Sequence, residues 1–201
     1  PRQTYAAFAR SQVANGRIEA IDTSKAEAMP GVLAVFTGAD FAETGSNPAG
    51  WSITSRDGTP AREPKRPVLA HGKVRHVGDA YAAVIAETEE QARDAVETIE
   101  AEIAEEPAVP DARAAFAEGG SLVHDEIGTN LCFDWGWIED NRAAVDEAIR
   151  NAPHVTTLEL VNNRLVPNAM EPRCSIAYYN PATGDYVLHT TSRNPHVTRL
   201  L

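Results

Sequence analysis

The run Ala80-Tyr-Ala-Ala-Val-Ile-Ala86 constrains this chain more than any other stretch. An uncharged run of this length, apolar on both faces, fits a strand in the middle of a sheet. Gly78-Asp79 precedes it as a turn. Thr88-Glu-Glu-Gln91 follows as a capping box, opening a helix with Ala92, Ala95, Val96 and Ile99 at helical spacing. Most of the strand is alanine, so whatever covers it must come close. The same holds chain-wide: 33 residues are Ala, so a hydrophobic content of 43% describes thin, closely approached cores.

Around this strand the first hundred residues alternate short strands and short helices. Tyr5 to Phe8 reads as a strand. Arg17 to Asp22 has a period of two, with Ile18 and Ala20 on one side and Glu19 and Ile21 on the other. Ser24-Lys-Ala-Glu27 predicts a capping box for a helix that Met29-Pro30-Gly31 ends. Val32 to Phe36 predicts a buried strand, Gly38 to Phe41 a helical turn, and Ile99 to Ala104 an acidic strand with Glu100 and Glu102 outside. Residues 43–67 are rich in Gly, Pro, Ser, Thr and charge, and read as a functional or partner-binding excursion, with Trp51 favouring docking over disorder. A linker over 107–128, holding one short helix from Asp111 to Ala117, separates residues 1–106 from residues 129–201, with the boundary near residue 120. Beyond it the pattern predicts strands at 131–138, 155–161, 173–179 and 186–191, a helix from Asp140 or Asn141, and a hairpin turn at Asn180-Pro-Ala-Thr-Gly-Asp185. The fold class is α+β.

Charge excludes some functions. Eighteen Lys and Arg against 29 Asp and Glu give a net charge of −11, the wrong sign for a phosphate backbone or an anionic membrane surface. Arg62, Lys65 and Arg66 form the one basic cluster. No apolar run approaches the roughly 20 residues of a membrane span. A self-contained protein of 21.7 kDa would keep roughly 9,000 Å² of accessible surface and bury about 70% of the unfolded chain's. Cys132 and Cys174 fit neither a zinc spacing nor a disulfide framework, and read as inert core thiols of a reducing, cytoplasmic protein. Both ends read as cut: Pro1 is no initiator, and the chain stops within the apolar-rich segment ending at Leu201.

Motifs for nucleotide, metalloprotease or nucleophilic-serine chemistry are missing. The segment His71-Gly-Lys-Val-Arg-His76 is either a basic edge for an acidic partner or cofactor phosphate, or a solvated strand entering a turn. His124-Asp125-Glu126 is either an acid–base or metal cluster or a solvated turn. Asn162 to Arg173 is too polar for core. Pro167 and Pro172 stiffen it, so that Arg173 could hold an anionic group positioned by Glu171, or the two could form a buried pair tying strands together. The stretch Thr190 to His196 leads a strand into a helix whose free amides could cradle an anion, or which is simply capped by Ser192 or Asn194. Trp135 and Trp137 share one face of their predicted strand, as packing or an interface.

These blocks together resemble a known family. Arg17 to Gly38 (RIEAIDTSKAEAMPGVLAVFTG), Arg66 to Asp79 (RPVLAHGKVRHVGD) and Val84 to Asp94 (VIAETEEQARD) resemble the α/β hammerhead domain of the xanthine dehydrogenase and aldehyde oxidase family. Leu131-Cys-Phe-Asp-Trp135, NNRLVPNAMEPR and HTTSRNPHVTRLL resemble the start of the molybdopterin-binding domain, in large subunits of the aerobic carbon monoxide dehydrogenase type. The resemblance runs in order over essentially the whole chain.

It implies the N-terminal segment of a molybdenum hydroxylase large subunit. The complete subunit would bind a molybdenum–molybdopterin cofactor and hydroxylate CO, an aldehyde or an N-heterocycle with oxygen from water. Electrons would pass to iron–sulfur and FAD subunits, within a dimer of heterotrimers. The glycine-rich cofactor loop and catalytic Glu of that family have no matching positions, so no catalytic residue, metal ligand or bound cofactor is expected in this segment. Glu171, Arg173, Arg193 and His196 are the residues nearest a cofactor role. Arg193 stands where the family has Gln, and Ala80 where it has Pro. The competing expectation is a non-catalytic subunit-docking module, centred on loop 43–67.

Overall fold

In the computed structural model, which describes residues 3–46, 52–136, 141–163, 165–166 and 168–200, the chain divides into two compact units, Pro1–Trp135 and Gly136–Leu201. Trp51, Trp137, Asp140 and Pro167 carry expectations that lie outside the described residues. In the first unit β1 (Tyr5–Arg10), β2 (Gly16–Asp22), α1 (Ser24–Glu27) and β3 (Val32–Thr37) precede the loop. After it come β4 (Lys73–Val74), β5 (Ala80–Ala86), α2 (Glu89–Val96), β6 (Glu100–Glu105) and α3 (Ala112–Phe116).

The Ala80–Ala86 run is a central strand, as its sequence demands. β5 lies between β1 and β3 in an antiparallel sheet, with Val84 opposite Ala7 on one side and Val35 on the other. Ala82, Val84 and Ala86 have no exposed surface. Helix α2 packs on β1 and β5 through its buried Ala92 and Ala95, small side chains meeting small side chains. Its cap is the predicted box: Gln91 N donates to Thr88 Oγ1 (3.2 Å), and Thr88 N to Gln91 Oε1 (3.1 Å).

The other predicted box does not form. Asp22 Oδ1 accepts from Ser24 N (2.9 Å), and the Thr23 hydroxyl donates to Glu27 Oε1 (2.6 Å). The carboxylate at the end of β2 takes the free amide first, so α1 starts from Thr23 and Ser24 falls inside it.

β2 is the centre of the second antiparallel sheet, between β4 and β6. A bulge between Ile18 and Ala20 shifts its register against β6, so Ile18 and Ile21 both pack against the core. The simple alternation expected from the sequence, which separated those two side chains, is broken there by the extra residue. Glu100 and Glu102 lie outside β6 as predicted, with Ile103 half-buried between the outer positions.

The core joins Ala9, Ala26, Ala70, Ala82 and Ala95 to Val74, Tyr81, Val84 and Ile99. Contact is close enough to require glycine at position 38, where a Cβ would stand 2.2 Å from the carbonyl oxygen of Ala70. Asp111 caps α3, accepting from Ala114 N (2.7 Å), and a 3-10 turn follows at Asp125–Ile127.

The second unit holds α4 (Arg142–Asn151), the hairpin of β7 (Ser175–Asn180) and β8 (Asp185–Thr190), and α5 (Pro195–Leu200). The hairpin closes as its turn residues dictate: Asn180 Oδ1 accepts from Ala182 N (3.0 Å), and Gly184 sits at φ +76.

Two predicted strands are corrected. Residues 155–161 form no ladder among the described residues; Leu158, Leu160 and Val161 are 76%, 78% and 80% exposed. Residues 131–136 also make no ladder. β-propensity needs a partner strand; among the described residues 155–161 have none, and 131–136 meet the loop, through the carbonyls of Cys132 and Asp134. Nor are the cysteines core, since Cys132 and Cys174 are both free and exposed. In the second unit large apolar side chains stay open, Met170, Tyr186 and Leu188 among them. Among the described residues no helix is long and apolar enough to cross a membrane.

Candidate functional site

The basic segment 71–76 meets an acidic partner within its own unit. Lys73 Nζ lies 2.8 Å from Glu106 Oε2 and 3.0 Å from Asp125 Oδ2, with its side chain only 12% exposed. Arg17 joins at 3.0 Å from Glu106. Arg75 donates from Nε to the carbonyl of Val123 (3.3 Å), and its guanidinium lies 3.8 Å from Glu126. His124 Nδ1 is 3.3 Å from the same carboxylate. At the far end of β4, Asp79 Oδ2 accepts from Arg75 N (3.0 Å), and Gly78 at φ +89 makes the expected turn.

The electrostatics follow from this pairing. Burial pulls the Lys73 ammonium down, but its bonds to Glu106 and Asp125 outweigh that and hold it above its ordinary value. Glu106 is held low by the bond from Lys73 and then by that from Arg17. Asp125 is held low by Lys73. Glu126 is lowered first by its own backbone amide, against burial, with help from His124 and Arg75. These charges satisfy one another, and the group is a clamp. His124-Asp125-Glu126 is therefore a turn facing two cations, and no group of potential metal ligands forms among the described residues.

The second feature lies in residues 52–66 of the long loop. A bridge between Thr54 and Pro60 closes a tight excursion, in which Asp57 Oδ1 accepts from Thr59 N (2.9 Å) and Thr59 Oγ1 (2.7 Å). Those bonds from Thr59 hold the Asp57 carboxyl below its ordinary value. Residues 132–134 lie against this excursion. Arg56 grips both carboxylate oxygens of Asp134 at 2.6 and 2.8 Å. Arg56 N donates to the Asp134 carbonyl (2.7 Å), and Arg62 N to the Cys132 carbonyl (2.9 Å). Between them opens a cavity of about 360 Å³, walled by Ile53, Pro60, Ala61, Pro64 and Phe133, with Arg62 and Arg66 among its cations. Sequence reasoning missed this pairing; Arg56 and Asp134, 78 positions apart, carry no spacing signal.

In the second unit Glu171, Arg173, Arg193 and His196 are all exposed, and no hydrogen bond or ion pair joins any two of them. A cavity of about 480 Å³ between β8 and α5 is lined by Leu188, Ser192 and Arg199 among others, but not by Arg193 or His196. The one buried polar atom without a partner among the described residues, Asn15 Oδ1, belongs to the first unit. The four candidates therefore form no enclosed cradle for a phosphate or a metal, and no step of cofactor chemistry is assigned to them.

Fold and residues define an α+β chain in which a two-sheet domain precedes a sparsely packed helix-and-hairpin unit. A model of the aldehyde oxidase and xanthine dehydrogenase a/b hammerhead domain matches residues 1–107, and one of the molybdopterin cofactor-binding domain matches residues 123–201. The chain belongs to the aldehyde oxidase and xanthine dehydrogenase family.

It is 30% identical over 211 residues to the carbon monoxide dehydrogenase large chain of Hydrogenophaga pseudoflava, covering 99% of this chain and 25% of that one. To the nicotine 6-hydroxylase large subunit of Paenarthrobacter nicotinovorans it is 31% identical over 201 residues, covering 98% and 23%. The solved structure of reconstituted CO dehydrogenase from Oligotropha carboxidovorans matches with a TM-score of 0.80 at 28% identity, covering 100% of this chain and 25% of that one. The chain is thus homologous to molybdenum hydroxylase large subunits, and spans about a quarter of these relatives' length.

Proposed function

We propose that this chain is the N-terminal segment of a molybdenum hydroxylase large subunit, in which residues 1–106 form the hammerhead domain, 107–128 the linker and 129–201 the start of the molybdopterin-binding domain. The complete subunit hydroxylates CO, an aldehyde or an N-heterocycle with oxygen from water, and hands electrons to iron–sulfur and FAD partners. The observation that carries this reading is the succession of two family matches, in order, over nearly the whole chain. The molybdenum–molybdopterin cofactor, bound in the complete subunit, supplies the redox chemistry. The contribution of these residues is structural: an alanine-packed two-sheet domain, and a clamp on Lys73 that fixes where the chain leaves it.

Alone, the 201 residues are inactive. The test is to purify this chain, measure its molybdenum content and follow oxidation of CO, benzaldehyde or xanthine with a dye acceptor. Neither metal nor turnover is expected. Stoichiometric molybdenum with turnover would overturn the assignment of catalysis to residues beyond this segment.

A further inference from the structure

The cavity between loop 52–66 and residues 131–133 is a pre-formed apolar pocket in an otherwise acidic chain. Its size, about 360 Å³, falls at the lower end of the roughly 300–1,000 Å³ typical of ligand pockets. The walls are fixed by the Arg56–Asp134 grip, by the bond from Arg62 N to the Cys132 carbonyl, and by prolines at 60 and 64 that limit backbone freedom. A site with so little left to order loses little entropy on binding. Phe133, 40% exposed, offers an aromatic surface within it.

Charge identifies the occupant. Arg62, Lys65 and Arg66 are exposed, in a chain of net charge −11, whereas Lys73 and Arg75 of the other basic segment face Glu106, Asp125 and Glu126. Glu63 pairs with Arg66 at 3.3 Å. Glu63 also lines the cavity, and Arg62 donates to the Leu131 carbonyl (3.3 Å) and acts on the Asp57 carboxylate, while no salt bridge among the described residues reaches Lys65. An anionic partner is repelled over most of this chain and attracted here, so the cluster also sets where it lands. Lys65 does not line the cavity. An occupant that meets Lys65 as well as Arg62 and Arg66 must therefore extend beyond the cavity, which a peptide does and a single small acid does not.

We propose that this cavity and its cationic rim are a docking site for an acidic segment of a partner polypeptide. One apolar side chain of that segment sits against Phe133 and Ile53, and flanking carboxylates meet Arg62, Lys65 and Arg66. The proposal is independent of where catalysis occurs.

The test uses a fluorescein-labelled peptide, Asp-Glu-Asp-Phe-Glu-Asp, titrated with the chain by fluorescence anisotropy at low and moderate salt. Saturable binding is expected, weaker at higher salt. The double variant Arg62→Gln/Arg66→Gln should weaken it about tenfold, as two partly exposed charge contacts allow. A peptide with serine for phenylalanine should bind at least several-fold more weakly. Thermal melts of the double variant check its fold. If it fails to fold, the serine peptide and an Asn/Gln version of the probe decide the matter on the unaltered chain. Absence of saturable binding overturns the proposal. So does binding that survives loss of either the phenylalanine or the charges. Binding of 3-phenylpropionate as tight as that of the peptide overturns the assignment to a polypeptide.

Discussion

Replacing Val84 by Ala tests whether an alanine-lined core can close around a deletion. Val84 is fully buried at the middle of β5, opposite Ala7 and Val35. Removing two methyl groups forfeits about 1.6 kcal/mol of transfer free energy. A residual void of about 50 Å³ adds about 1.2 kcal/mol if nothing moves in. In most cores part of that second cost is recovered, because neighbouring side chains rotate into the space. Here Ala9, Ala82 and Ala95 of the same cluster have no rotamer to change, and Val35, Val74 and Ile99 are β-branched and stiff at χ1. The expected loss is therefore near the full figure, about 2.5–3 kcal/mol. Urea unfolding followed by far-UV circular dichroism measures it. With a slope of about 2 kcal/mol/M the midpoint falls by more than 1 M, the slope staying unchanged. A loss under about 1 kcal/mol would refute the reasoning, since α2 must then have settled bodily onto the sheet.

Two further outcomes follow from individual bonds. Thr88→Ala removes the acceptor for Gln91 N and should cost about 1 kcal/mol in the same unfolding experiment, with Thr88→Ser restoring most of it. Lys73→Met should flatten the acid limb of stability. Glu106 and Asp125 are held low in the folded chain, so their contribution is present above the ordinary carboxylate range and is lost as pH falls through their lowered values. Lys73 is held high, so its own share persists until pH rises through that raised value. Melting temperature against pH should show the two proteins converging in acid; parallel curves would show that the clamp carries no stability.

Much of the first unit could be read from the chain because its signals are local. The two-faced apolar run at 80–86 and the Thr88 box specify a central strand and its helix without reference to anything distant. Phase was harder: the bulge before Ala20 shifts β2, and an extra residue leaves no mark in a pattern of apolar and polar letters. The α1 cap went to Thr23 because the competing acceptor, Asp22, belongs to the preceding strand. In the second unit the Asn180–Asp185 turn was legible from its own residues. Residues 155–161 have the composition of a strand, but pairing decides, and composition does not record whether a partner is present. At the candidate sites the residue types were visible and their partners were not. Lys73 with Asp125, and Arg56 with Asp134, are meetings of ordinary charges made by the fold.

The clamp on Lys73 bears on which parts of this chain can change length. One ammonium group holds Glu106 and Asp125 together, while Asn15 holds the carbonyl of Pro107 at 2.9 Å. The chain therefore leaves the end of β6 and returns to the same spot some twenty positions later. Everything between is an excursion with its ends tied, and lengthening such a loop costs little, growing only with the logarithm of its length. Insertions at 108–110, ahead of the Asp111 cap of α3, should be absorbed where they occur, leaving residues 125 onward to start from the same point. A single-residue insertion within β5 has no such refuge, since it would turn every following side chain of that strand to the opposite face.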